Sequence, residues 1–144
     1  MNDLLLMCIV AGRPAAIPAI RVQSVIEIED ITPIPGAPAF IRGLTALRSQ
    51  ALTVIDCSVA LGFETAQAPP DQRAAVVEID GHLYALLVDA AYDVGEALSN
   101  PIEVPGGFGA GWQAATRGMV ETDGGPTLLI DVEALVSGPV SQAA

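Results

Sequence analysis

Residues 31–62 read ITPIPGAPAFIRGLTALRSQALTVIDCSVALG, and this stretch decides the fold. Pro33, Pro35 and Pro38, with Gly36 among them, exclude a helix at its start, because proline lacks an amide proton and fixes φ. Phe40 and Ile41 restart the apolar pattern, and Arg42-Gly43 leads into a run that ends at Leu47. Ser49-Gln50 is the predicted turn, and Ala51 to Ile55 has the length and composition of a buried strand. Asp56 then stands where a helix N-cap belongs, and Gly62 where the C′ residue belongs. The predicted order is rigid loop, strand, turn, strand, capped short helix.

Short strands continue on both sides. Leu4 to Val10 is a continuous apolar run suited to burial, Gly12-Arg13-Pro14 a turn, and Ala15 to Ile17 a second short strand. Pro18 suits the first turn of a short helix reaching Val22, and Val25, Ile26 and Ile28 make a half-buried strand. Glu64 to Gln72 reads as a polar linker. Ala74 to Ile79 and His82 to Val88 flank Asp80-Gly81, the strongest hairpin signal in the chain. Tyr92 to Glu96 adds a strand, and Ser99 to Gly111, with Pro101, Pro105 and four glycines, reads as an exposed loop. Thr116 to Glu121 and Thr127 to Ile130 form a further hairpin, after which Asp131 caps a helix ending near Val136.

An internal repeat is visible. Arg42-Gly43 precedes Asp56 by 14 positions, and Arg117-Gly118 precedes Asp131 by the same distance. Each unit closes on an apolar run, Ile-Asp and a short leucine-containing helix, LTVIDCSVAL and TLLIDVEAL. Two similar strand-rich halves follow, and many short strands with turn signals suggest barrels rather than one open sheet.

Composition narrows the function classes. At 144 residues the chain is one domain's worth, with 51% hydrophobic residues and a net charge of −11. Six arginines and no lysine serve against 17 carboxylates, which argues against nucleic acid and against anionic membrane surfaces. No apolar run approaches the roughly 18 residues of a membrane helix. The start, MNDLLLMCIVAG, is acidic and reads as a strand rather than a signal peptide, so a cytoplasmic protein is expected. Cys8 and Cys57 lie in apolar settings and read as small buried hydrophobes; with one histidine, His82, they make a structural zinc site a poor expectation.

Candidate chemistry is sparse. Asp56 and Asp131 could form a carboxylate pair, but their context favours helix capping. Asp89 and Asp93 could form another, and strand-end turns explain them as well. Gly106 to Gly111 lacks the Lys and Ser/Thr of a phosphate loop and reads as a flexible linker. Arg48, at a strand end beside a turn, is either a surface arginine covering the core or a planar donor for a partner's carboxylate or backbone.

The central stretch resembles the CheW-like domain, the family of bacterial chemotaxis coupling proteins. The resemblance rests on Pro38-Ala39-Phe40-Ile41-Arg42-Gly43, Ala46-Leu47-Arg48-Ser49 and Thr53-Val54-Ile55-Asp56, in order and without gaps, and extends from about Leu4 to Leu135. Ala46, Ser49 and Thr53 depart from the family's Asn, Gly and Pro. The resemblance implies a mainly β fold of two small five-stranded SH3-like β-barrel subdomains packed side by side, with short helices. Residues 1–136 would form the single domain, with residues 18–60 mostly in one barrel, residues 74–115 mostly in the other, the termini completing both, and residues 137–144 a flexible tail. It implies a non-enzymatic adaptor without cofactor. Its partners would be the helical cytoplasmic tip of a chemoreceptor and the regulatory domain of a CheA-type histidine kinase, with no membrane insertion of its own. The receptor-facing positions it implies are Val22, Gly43 and Arg48, with Arg48 close to the other two beside the groove between barrels. The alternatives are a small-ligand-binding barrel or carboxylate-based hydrolase, which require carboxylates converging in a pocket, and a related adaptor in another signalling pathway.

Overall fold

The computed structural model describes residues 3–63 and 72–138. The strands among them are β1 Leu4–Val10, β2 Arg13–Pro18, β3 Val22–Glu27, β4 Ile41–Leu47, β5 Gln50–Asp56, β6 Arg73–Ile79, β7 His82–Leu87, β8 Ala90–Glu96, β9 Thr116–Thr122 and β10 Gly125–Ile130. The helices are α1 Cys57–Ala60, α2 Ala110–Ala115 and α3 Val132–Val136, with 3-10 turns at Ala19–Arg21 and Gly106–Phe108. One sheet runs β8-β1-β2-β10-β9 and the other β3-β6-β7-β5-β4. Each is antiparallel except for one parallel pair, β2 with β10 and β5 with β7. The expected mainly β fold of two five-stranded units is found. The ladders do not close into full barrels: in each, the segment that follows one edge strand bridges to the other edge strand, Thr32 beyond β3 with Leu44 in β4 and Ile102 beyond β8 with Met119 in β9.

The strands most central to each sheet are buried on both faces. In β1, Leu5 and Met7 enter the core of their own sheet, while Leu6, Cys8 and Val10 enter a larger core between the sheets. In β6, Ala74 and Val76 point one way and Ala75 and Val77 the other. Side chains alternate across a strand, so a strand with cores on both sides must be apolar at every position. That is why Leu5 to Val10 reads as an unbroken apolar run, while Leu4 at the start of the strand stays exposed. The intersheet core also takes Cys57 and Ala60 from α1, Leu61 at its C-terminal cap, Trp112 from α2 and Leu135 from α3. Burial pushes the Cys8 thiol up to about 12 and raises Cys57 as well, in keeping with two buried thiols that act as hydrophobes.

The sequence repeat is a structural repeat with exchanged hairpins. Strands β4 and β5 recur as β9 and β10 at a shift of 75 positions (Arg42 to Arg117, Asp56 to Asp131). The hairpin β1–β2 recurs as β6–β7 at a shift of 69 (Val10 to Ile79), and Ala11-Gly12 matches Asp80-Gly81 with positive φ at all four residues. Yet β1–β2 lies in the sheet with β8, β9 and β10, and β6–β7 in the sheet with β3, β4 and β5. The division expected at residues 18–60 and 74–115 is therefore corrected: residues 73–87 belong with the first group. Local pattern shows where hairpins are but not which sheet takes them, since any apolar hairpin fits either.

Three local expectations also change. The turn after β4 is Arg48-Ser49, at φ 51° and 70°, and Gln50 already belongs to β5. The turn before β2 is Ala11-Gly12, and Arg13 and Pro14 begin the strand. The loop expected over Ser99 to Gly111 contains the start of α2 and buries Val104; Trp112, just beyond it, has no exposure. Gly111 is not a flexible link, because a Cβ there would lie 1.7 Å from the Leu61 carbonyl oxygen. Only glycine allows α2 to press against the end of α1. The polar linker expected at Glu64 to Gln72 lies, apart from Gln72, outside the described residues. So does the expected tail beyond Gly138, while Ser137 and Gly138 are tied to α3 through Glu133 and Leu135 carbonyls.

The helix caps form as expected. Asp56 accepts from the Val59 N–H at 3.2 Å and Asp131 from the Ala134 N–H at 3.3 Å. Past α1, Gly62 (φ 91°) donates to Val59 and Phe63 to Ser58, closing the helix with the paired bonds of a Schellman end. Asp131→Ala should cost about 0.5–2 kcal/mol in urea unfolding. Asp56→Ala should cost more, because Asp56 is the more buried of the two and holds Arg42 at 3.2 Å, whereas Asp131 meets Arg117 only at 4.0 Å; equal cost for the two would show that the closer pair adds nothing over the longer one. Ser49→Gly should raise stability by about 1 kcal/mol, since a left-handed conformation is costly for any residue with a Cβ; an unchanged urea midpoint would contradict the strain.

Candidate functional site

Among the described residues, five of the arginines are engaged and one is not. Arg21 pairs with Glu133 through both carboxylate oxygens, Arg42 with Asp56 at 3.2 Å, Arg73 with Glu27 at 3.7 Å and Arg117 with Asp131 at 4.0 Å. Arg13 lies over the Phe108 ring, 4.5 Å from its centroid. Arg48 is exposed at the tip of the β4–β5 hairpin and has no ion pair or hydrogen bond with any described residue. In a chain of net charge −11, an unpaired guanidinium is a rare surface feature. Its planar donors remain free for a carboxylate or a backbone carbonyl from outside.

Gly43 is buried, at φ 143°, and a Cβ on it would meet the Thr32 carbonyl oxygen at 2.2 Å. Its counterpart Gly118, at φ 133°, leaves the same space for the Ile102 carbonyl, whose oxygen a Cβ would meet at 2.5 Å. Both glycines follow the arginine left over at a bulge in register, Arg42 in β4 and Arg117 in β9. The bulge bends the strand, the arginine reaches the capping aspartate, and the glycine admits the bridge that joins the two sheet edges. Arg-Gly…Asp is thus the device that bends the strand of each unit and admits its bridge.

Val22 begins β3, opposite Val77, and packs its half-buried side chain on the intersheet core. β3 is one edge of its sheet and β4 the other. Arg48 lies five positions along the hairpin from Gly43, roughly 15 Å at the rise of an extended strand. The structure therefore does not gather Arg48 and Gly43 into one contact point: Arg48 projects from a hairpin tip, Gly43 works inside the sheet, and Val22 opens the opposite edge.

Sequence reasoning missed the apolar side chains exposed on the two matching edge strands. Val25 in β3 is 40% exposed, and Tyr92 and Val94 in β8 are 57% and 55% exposed. Each of these strands carries a bulge, at Gln23 and at Tyr92, and each packs a residue, Val22 or Ala91, on the intersheet core. Tyr92 to Glu96 read only as a short strand, because exposure depends on which edge remains uncovered.

The carboxylates do not converge. Asp56 and Asp131 cap separate helices, Asp89 accepts from the Gly12 N–H at 3.0 Å, and Asp93 accepts from the Val94 N–H at 2.8 Å. A depression of about 310 Å³ lined by Glu103, Val104, Gln113, Thr116, Arg117 and Gly118 holds one carboxylate beside an arginine. The arrangement a carboxylate hydrolase requires is not found among the described residues.

These features have relatives. Residues 4–139 match the CheW-like domain. A chemotaxis protein CheW of Rhizobium meliloti (strain 1021) is 25% identical over 114 residues, covering 78% of this chain and 74% of that protein. A probable chemotaxis protein CheW of Rhizobium etli is 30% identical over 129 residues, covering 87% of this chain and 83% of that one. The crystal structure of the scaffolding protein TtCheW from Thermoanaerobacter tengcongensis superimposes with a TM-score of 0.80 at 28% identity, covering 94% of this chain and 88% of that one. With two five-stranded sheets, the Arg-Gly…Asp device in each and a family match over nearly its whole length, the chain belongs to the CheW-like domain family.

Proposed function

We propose that the chain is a non-enzymatic adaptor of chemotaxis signalling. It couples the helical cytoplasmic tip of a chemoreceptor to the regulatory domain of a CheA-type histidine kinase, and it works in the cytoplasm beside the receptor array. The observation that carries this reading is Arg48, exposed at a hairpin tip and unpaired among the described residues while the other five arginines are engaged. An adaptor needs such a group, because transient contacts are small and depend on a few polar anchors beside apolar surface. The exposed Val25 on β3, and Tyr92 and Val94 on β8, offer apolar side chains to a partner on the edges of the two sheets. No helix among the described residues is long and apolar enough to cross a membrane, in keeping with a protein that reaches the membrane through its partner.

The three receptor-facing positions then have different tasks. Arg48 makes the polar contact, Val22 sets the shape of the β3 edge, and Gly43 acts through the backbone. Arg48→Glu should leave the melting temperature within about 2 °C of wild type, because an exposed unpaired residue adds little to stability. It should weaken binding of a receptor-tip fragment at least tenfold and change binding of the kinase regulatory domain by less than threefold. Gly43→Ala should instead cost on the order of 2–4 kcal/mol, from strain and overlap together, and lower binding of both partners in proportion to the folded fraction. Titrations of the two fragments with both variants, beside thermal melts, decide the matter. Equal loss for both partners with an intact Arg48→Glu fold, or no loss for either, would remove Arg48 from the receptor site.

A further inference from the structure

The exchange of hairpins inside the chain points to an exchange between chains. In the molecule as folded, β1–β2 leaves its own repeat through Ala19–Arg21 and completes the sheet of β8, β9 and β10. The hairpin β6–β7 makes the reciprocal crossing through Val88 and Asp89. The two crossings are held very differently. At the second, Val88 is 4% exposed, its N–H donates to Arg73, the Asp89 N–H donates to Ile9, and the Asp89 carboxylate accepts from Gly12. At the first, none of the three residues is buried, no side chain caps the turn, and Ile20 is 94% exposed. Its side-chain anchor is the solvent-facing pair of Arg21 with Glu133 at the start of α3.

We propose that the β1–β2 hairpin is an exchangeable element, and that its partner is a second copy of this chain, whose β8 and β10 it pairs with across a straightened Ala19–Arg21. The exchange creates no new interface. β1 would meet β8 and β2 would meet β10 in the registers already present, with Leu6, Cys8 and Ile17 in the same core. Exchange of identical elements is a low-cost route to a dimer for that reason, and short connections favour it. The acidic surface opposes loose association of two such chains, but a hairpin seated between strands is held by its own buried contacts. The second hairpin stays at home because its crossing is locked. Such a dimer would carry two β4–β5 tips, each with its Arg48; this last point alone rests on the adaptor reading.

The test uses the full chain with Leu4→Cys and Glu96→Cys, which face each other across β1 and β8. The native Cys8 and Cys57 are fully buried and stay out of the reaction. The protein is unfolded in urea, refolded at low and at high concentration, oxidised with glutathione disulfide, and examined by light scattering and non-reducing gel. The expected result is a monomer with an intrachain bond at low concentration and, at high concentration, a dimer that persists on dilution and whose new bond joins two chains. Glu133→Gln, which releases the anchor of the crossing, should raise the dimer fraction at least threefold. A dimer whose bonds stay within each chain would overturn the proposal, as would a monomer at every concentration. Should the double-cysteine chain fail to fold, light scattering on the wild-type and Glu133→Gln chains decides in its place: no persistent dimer in either ends the proposal.

Discussion

Burial of the same strands on both faces is the constraint on which the rest of this structure depends. β1, β5, β6, β7 and β10 each serve two cores at once, one inside a sheet and one between sheets. A polar residue at almost any central position of these strands would be stranded in an apolar medium, at a cost of a few kcal/mol unless it found a hydrogen bond. The 51% hydrophobic composition follows from that geometry. So does the retreat of charge to edges, tips and helix ends. The intersheet core also explains how helices of four to six residues persist: α1, α2 and α3 are too short to hold by themselves, and each is fixed by residues buried between the sheets, Leu61, Trp112 and Leu135 among them.

Within each unit, one small device shapes the sheet. A bulge in β4 or β9 turns an arginine towards the capping aspartate, and the following glycine lets a carbonyl come close enough to bridge the sheet edges. The device ties three levels together. A backbone conformation that glycine tolerates permits a close approach, the approach joins the edges, and the aspartate starts the helix that seals the core. The two copies are not equivalent in tightness, since Arg42 reaches Asp56 at 3.2 Å and Arg117 reaches Asp131 only at 4.0 Å.

Charge economy connects the scaffold to its surface. With six arginines against 17 carboxylates, the structure places four arginines in ion pairs and one over an aromatic ring. Arg48 stays outside this arrangement on a strained turn, where Arg48 and Ser49 both hold positive φ. A two-residue turn of that kind favours Asn-Gly, so both residues are poor choices for stability alone.

Much was legible from the sequence by itself. The strand segments, the Asp80-Gly81 hairpin, both capped helices and the Arg-Gly…Asp repeat depend on interactions within about fifteen residues, and local pattern records those. The resemblance in residues 38–56 carried the family and the two-unit fold. What only the tertiary structure decided is long-range. Which sheet receives each hairpin is not written in the local pattern, because β1–β2 and β6–β7 both present near-continuous apolar runs and either sheet could bury them. The helix at Ala110–Ala115 was hidden behind its glycines, because Gly111 is required by the Leu61 carbonyl of a distant segment rather than by flexibility. The separation of Arg48 from Gly43 was hidden for the opposite reason: closeness in sequence suggests closeness in space, and an extended strand turns five residues into roughly 15 Å.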